Sequence, residues 1–291
     1  MLTTVNGLVI RLFPTGDHDT ILHILTEDRG RISVMVKGAR SHRGSTSGLS
    51  MLAQPFAYAN FELYRSGGGD LYYLRGGSIL EHFFHLTADF PRMALASYLC
   101  EATDVMVGDS FEPDTNTLLR MLLNALYVLN RGTYDYKLVK GVFELRAAAL
   151  AGYQPDLTVC TSCKQAFPDA AFFDIMNGRF VCEACQAARR PRAIALEEMR
   201  DEAMRERRII CPVSASVLAA MRYALTAPDR KIFSFSLTDR EEIESFERVA
   251  ETYFLNHLEE DFESLKFYRT AEKQPATVLH NRAKLPSDLK Q

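Results

Sequence analysis

Residues 20–37 read TILHILTEDRGRISVMVK, and they decide the architecture of the first part of the chain. Ile32, Val34 and Val36 alternate with Arg31, Ser33, Met35 and Lys37, the two-residue period of a strand with one apolar and one polar face. TILHILT ahead of it is a second strand, and Glu27-Asp28-Arg29-Gly30 supplies the turn between them. Further along, FAYANFELYR and LYYLR are strand-like runs separated by SGGGD. Some five short strands with Gly-rich turns predict a small closed barrel, such as an OB-fold, over residues 1–80.

After this stretch the period changes. Leu118, Met121, Leu122, Ala125, Leu126 and Leu129 recur at spacings of three and four, the stripe of a helix facing a core. KLVKGVFELRAAALAGYQP predicts a second helix stopped by Gly152 and Pro155. AIALEEMRDEAMRERR and SASVLAAMRYALTA predict others. DREEIESFERVAETYFLNHLEEDFESLKFY predicts one long last helix, burying Ile243, Phe246, Ala250, Tyr253, Phe254 and Leu258 and showing acids on its other side. The expected class is α+β and multidomain. A barrel at 1–80 is followed by a helical domain in two parts, 81–158 and 191–270, with a cysteine module at 159–190 inserted between them. Residues 271–291, polar and proline-bearing, are expected to form a flexible tail.

The module rests on Cys160-x-x-Cys163 and, 18 residues on, Cys182-x-x-Cys185. Four such thiols are open to four readings: disulfides, a redox centre, a catalytic metal or a structural one. The amino terminus lacks a basic region followed by a long apolar core, and no window is apolar enough for a membrane span. The expected setting is therefore cytoplasmic, where disulfides are rare and paired motifs more often hold metal. FFDI and RFVC are strand-like and joined through Met176-Asn177-Gly178, where Asn-Gly favours a tight type I′ hairpin. A hairpin returning the second pair to the first makes a zinc ribbon. Four thiolates fill a tetrahedral shell and leave no open position, so one structural Zn²⁺ is expected. Metal binding would contribute on the order of 10 kcal/mol to folding a module with almost no core.

The 291-residue chain carries a net charge of −3, with 47% apolar residues. Residues 1–80 hold 8 Lys and Arg against 6 Asp and Glu, or +2, leaving 26 against 31, or −5, for the remainder. From Arg29 to Arg43 there are five cations (Arg29, Arg31, Lys37, Arg40, Arg43) plus His42, and no acid after Arg29. Lys and Arg side chains that neutralise phosphates release condensed counterions, and exposed tyrosines such as Tyr58, Tyr64 and Tyr72 can stack unpaired bases. Equally, such charges form a solvated surface and such tyrosines pack a barrel. Both readings stand on these residues alone.

Other candidates carry less. His82 and His85 have helical spacing but no third ligand. His257-Leu258-Glu259 resembles the H-x-E of zinc deaminases but lies after both cysteine pairs, whose thiols already saturate a metal. SGGGD and GSTSG lack the Lys-Ser/Thr ending of a phosphate-cradling loop. Cys100 and Cys211 read as buried apolar thiols. Glu259, Glu260 and Asp261 occupy consecutive helical positions, which point in different directions, so no enzyme is expected. A protein-binding scaffold, presenting a strand edge to a partner without touching DNA, is the alternative.

GLVIRLFPTGDHDTILHILTEDRGRISVMVKGAR, then LAQPF, Tyr98 within ALASYLCE, FELRAAALAGYQPDLTVCTSC and FVCEAC together resemble the RecO family of bacterial recombination mediators. VMVKGAR and FELRAAALAGYQPDLTVC are the specific parts. Gly16-Asp17-His18-Asp19 departs from the Gly-Glu-x-Asp of many relatives. The resemblance implies an OB-fold, a helical domain and an inserted zinc module. It implies binding of single- and double-stranded DNA, strand annealing, and partnership with RecR and with the acidic carboxy-terminal tail of single-stranded-DNA-binding protein. Those partners together load the RecA recombinase, on the bacterial nucleoid. The match at VMVKGAR implies phosphate contacts first from Lys37 and Arg40, then from Arg29, Arg31 and Arg43.

Overall fold

β1 (Leu2–Thr15) is long enough to serve two partners. It pairs antiparallel with β2 (Asp19–Thr26) and with β4 (Tyr58–Arg65), and a bulge between Val9 and Arg11 turns it from one to the other. β3 (Gly30–Val36) pairs antiparallel with β2 and parallel with β5 (Leu71–Glu81), and β5 returns along β4. The barrel so closed runs β1-β2-β3-β5-β4, which is OB-like. A short helix, α1 (Leu49–Leu52), precedes β4. At 14 and 11 residues β1 and β5 exceed the short strands expected, because bulges let each bend around the barrel. Gly77 allows the closest approach of backbone to backbone: at φ 154°, a Cβ there would meet the Asn60 carbonyl oxygen at 2.3 Å. The computed structural model describes residues 2–41, 49–65, 69–108, 114–188 and 209–273.

Val5, Val9, Leu22, Ile24, Ile32, Val34, Phe61 and Leu63 fill the barrel. Leu8, Ile10 and Leu25 point the other way, into the core of the helices. β1 and β2 are thus covered on both faces, which is why GLVI and ILHIL are nearly unbroken apolar runs. The helices are α2 (Phe90–Gly108), α3 (Thr115–Arg131), α4 (Tyr136–Leu150), α5 (Ala215–Thr226), α6 (Arg240–Leu258) and α7 (Glu263–Glu272). All six residues of the α3 stripe are buried. Asp114 caps its start, and Gly132, left-handed at φ 64°, ends it.

Two expectations change here. The long last helix is two helices: Glu259 turns left-handed at φ 55°, and buried Phe262 packs against Tyr98 and Phe254 before α7 begins. Glu259, Glu260 and Asp261 therefore lie in the turn between α6 and α7, not on a helix. The loop with His42 and Arg43, the helix expected over AIALEEMRDEAMRERR and the tail from 274 lie outside the described residues.

Candidate nucleic-acid interface and metal centre

Inward-facing residues alternate with outward ones along β3, and that alternation sets where the cations go. Lys37, just past the strand, is exposed, and its Nζ lies 5.5 Å from the centre of the Tyr73 ring. Among the described residues no carboxylate pairs with it. Arg40 is exposed too, but its guanidinium donates to the carbonyl oxygens of Gly16 at 2.7 Å and of Thr15 and Asp19 at 3.3 Å, bracing the β1–β2 turn. Arg29, also exposed, donates to Thr3 Oγ1 at 2.9 Å and to Asp28 at 3.4 Å.

Arg31 departs from the outward-facing role expected of it. Its Nη1 donates to Oδ1 and to the backbone oxygen of Asp104 on α2, each at 3.1 Å. The face of β3 that carries it is turned towards the helices at this end, so the charge serves the join between barrel and helices. Arg43 lies outside the described residues.

The tyrosines divide in the same way. Tyr58 donates to Glu27 at 2.5 Å and packs on the helical core. Tyr72 packs against the barrel core beneath the Arg65 guanidinium, 5.7 Å from its ring. Tyr64 faces out and stacks on Tyr73, a residue the sequence did not single out. The adjacent Tyr72-Tyr73 pair is equivalent in sequence; only the register of β5 against β4 shows which ring lies on the outer face.

The cysteine module is built on β6 (Ala170–Asp174) and β7 (Arg179–Cys182), with β8 (Ile210–Ser214) added to the far edge of β6. The connection from 175 to 178 is not the type I′ turn expected. That turn needs positive φ at both central residues, and only Gly178, at 60°, has it. Nor does the module lack a core: Phe173, Ile175 and Phe180 are buried with the helices, and Phe173 lies 5.4 Å from the Tyr253 ring of α6.

This hairpin brings the Sγ atoms of Cys160, Cys163, Cys182 and Cys185 within 4.8 Å of one another, with Cys163 and Cys182 at 3.6 Å. Tetrahedral Zn–S bonds of about 2.3 Å call for sulfur pairs about 3.8 Å apart, so the donor set fits that ion. The N–H groups of Cys182 and Ser162 point at Cys160 Sγ, 3.3 and 3.4 Å away. Burial pushes the Cys160 thiol up, but the N–H groups of Cys182, Cys163 and Ser162 outweigh it and hold the thiol below its usual range. Such bonds orient and stabilise a thiolate ligand. Among the described residues no other cluster of three or more His, Cys, Asp or Glu is arranged to hold a metal. His82 instead stacks on Phe84 at 3.6 Å. No helix of the described residues is long and apolar enough to cross a membrane.

Comparison with known proteins agrees with a barrel followed by a helical domain. Residues 1–83 match the family description "Recombination protein O N terminal" and residues 87–200 match "Recombination protein O C terminal". The DNA repair protein RecO of Caldicellulosiruptor bescii is 31% identical over 185 residues, 64% of this chain and 72% of that one. The DNA repair protein RecO of Acetivibrio thermocellus is 25% identical over 268 residues, 92% of this chain and 96% of its own. An OB-like barrel, a helical body and a family match across both make this chain a member of the RecO family of DNA repair proteins.

Proposed function

We propose that the protein is a recombination mediator that binds single- and double-stranded DNA and anneals complementary strands. With RecR it helps load RecA recombinase onto strands coated by single-stranded-DNA-binding protein. The observation that carries this reading is Lys37: an exposed cation just past the end of β3, three residues before exposed Arg40, with no acidic partner among the described residues. Membership of a DNA repair family supports it. The work is physical. Cations on the barrel lower the repulsion between two phosphate backbones while bases pair, and no bond is made or broken. Lys37 and Arg40 are the first phosphate contacts, Arg29 and Arg43 the next, while Arg31 holds the barrel in place.

In this reading Cys160, Cys163, Cys182 and Cys185 hold one structural zinc, which fixes the ribbon against the helices and supplies no chemistry. The division into a barrel (1–80), two helical parts (81–158, 191–270), a ribbon (159–190) and a tail (271–291) follows the same logic, in a cytoplasmic setting. The helices supply partner surfaces. A cavity of about 620 Å³ between α3 and the turn after α5 is lined by Tyr127, Arg131, Tyr134, Arg230 and Phe233, and by Asp229, whose carboxylate Arg146 holds at 3.0 Å. Aromatic walls with two guanidinium groups suit the acidic tail of single-stranded-DNA-binding protein. The deciding experiment measures binding of labelled single strands across a salt series. A slope of log K against log salt of about −3, from about four neutralised phosphates at about 0.7 each, supports the reading. Salt-independent affinity, or no binding in dilute buffer, ends it.

A further inference from the structure

Tyr64 and Tyr73 face each other directly across β4 and β5, their ring centres 5.1 Å apart and their planes inclined by only 20°. Leu63 and Leu74, next to them in sequence, are buried inside the barrel, so both tyrosines project outward. Tyr64 is 37% exposed. Its partner on β1, Leu2, is 56% exposed, which extends the apolar surface by one strand. On the other side Met35 of β3 is the neighbour of Tyr73, and Lys37 ends the row with its ammonium over the Tyr73 ring.

A cross-strand aromatic pair steadies a sheet wherever it lies, but that alone does not require the pair to lie on the outer face of the barrel, between an exposed leucine and a cation that meets no carboxylate among the described residues. A nucleic acid strand presents the complementary alternation. Each unpaired base offers a flat π-face, and each link offers a phosphate. Stacking on aromatic side chains is sequence-tolerant because every base has such a face. In a duplex those faces are covered by neighbouring base pairs, whereas the phosphates remain accessible.

We infer that Tyr64 and Tyr73 form a stacking platform for the unpaired bases of a single strand, with Lys37 at its end taking an adjoining phosphate; the inference rests on the DNA-binding reading above. The cations of the barrel then serve single and double strands alike, and the tyrosine pair adds affinity for the single strand alone. As two strands anneal, their bases leave the platform for one another, and the duplex is held by phosphate contacts only.

The test compares three ligands by fluorescence anisotropy: an oligothymidylate, an abasic oligomer with the same number of phosphates, and a duplex. The wild-type protein should prefer the oligothymidylate over the abasic oligomer by about tenfold. Tyr64→Leu with Tyr73→Leu should abolish that preference and leave abasic and duplex affinity unchanged. Tyr64→Phe with Tyr73→Phe should retain it, which separates stacking from hydroxyl chemistry and from damage to the sheet. Equal binding of thymidylate and abasic oligomers by the wild type, or a preference that survives the leucine pair, overturns the platform alone. If none of the three ligands binds, the DNA-binding reading falls with it.

Discussion

Nδ1 of His23, on β2, lies 2.8 Å from Oδ1 of Asp104, on α2. A carboxylate has only lone pairs to offer, so this ring nitrogen carries the proton and donates. The same carboxylate accepts from Arg31 at 3.1 Å and from Arg11 at 3.3 Å. Asp104 itself is 3% exposed. Three strands of the barrel thus converge on one buried acid of the helical body. Burial pushes that carboxyl up, but the hydrogen bond and charge of His23, and those of Arg31, more than offset it and hold the group below the usual carboxylate range. A buried anion without such partners is costly, so the contact specifies how barrel and helices meet.

Asp104→Asn keeps the shape and removes the charge, leaving Arg31 and His23 beside an amide. The expected loss is about 2 kcal/mol, the range of hydrogen bonds to a charged group, reduced because Arg11 and Arg31 are partly exposed. Since the native carboxyl titrates below its unfolded value, its contribution is present above about pH 4 and is lost as pH falls through the lowered native value. Urea midpoints of wild type and variant should differ at pH 7 and converge in acid. A constant gap at all pH values would remove the charge from the explanation.

A second acid titrates the opposite way. Lys140 of α4 is fully buried, with its ammonium 3.0 Å from Glu144, 2.7 Å from Glu251 and 3.7 Å from Glu247. Tyr98 donates to Glu144 at 2.8 Å, and Arg269 pairs with Glu251 at 2.6 Å. Burial pushes Glu144 up to about 7, although Lys140 pulls it down. A raised acid favours the fold below its unfolded value, and that contribution is lost as pH rises through the native value. Wild-type stability should therefore decline between about pH 5 and 7 relative to Glu144→Gln, measured by denaturant midpoints. Lys140→Met, which strands three carboxylates, should lose about 3–5 kcal/mol at neutral pH.

The barrel strand at Ile32, Val34 and Val36 and the stripe of α3 are legible in sequence because each element buries one face and wets the other. The four thiols are legible because their spacing is itself the chemistry. β8 escapes: ICPVS is short, contains Pro212, and gains its place only by pairing with β6. Asp104 escapes for another reason. It is an ordinary-looking acid late in a helix, and what defines it is Arg31, 73 residues away in sequence. Two acids inside the apolar run ALASYLCEATDVMV, Glu101 and Asp104, are the signal that points to buried partners, and Ser264 bonds the first as Arg31 and His23 bond the second. The break before α7 is hidden because the acids at 259–261 suit a solvated helix as well as a turn.

The ribbon makes a sharper claim. Protein isolated without chelator should carry one zinc per chain by elemental analysis, and Cys160→Ser should release it. Because Phe173 and Phe180 lie in the same core as α4 and α6, the loss should spread. Hydrogen exchange should rise in α6 as well as in β6 and β7. Metal contributes on the order of 10 kcal/mol to such sites, so strong chelation should act like the substitution. Metal-free protein with an unaltered exchange pattern would refute the assignment.

Lys37 and Arg40 are neighbours in sequence with unlike duties, and single substitutions separate them. Lys37 makes no hydrogen bond to any described residue, so Lys37→Ala should leave the melting curve unchanged. It should also flatten the single-strand salt slope by about 0.7, the share of one phosphate. Arg40 holds the carbonyl oxygens of Thr15, Gly16 and Asp19, while the Asp19 carboxylate accepts from the Gly38 N–H at 2.7 Å. Arg40→Ala should therefore cost about 1 kcal/mol of stability as well as a similar part of the slope. Arg40→Lys keeps the charge but not the fork that spans three carbonyls, so it should restore the slope and not the stability. If Lys37→Ala leaves the slope at its wild-type value, this cation does not meet phosphate, and the binding face lies elsewhere on the barrel.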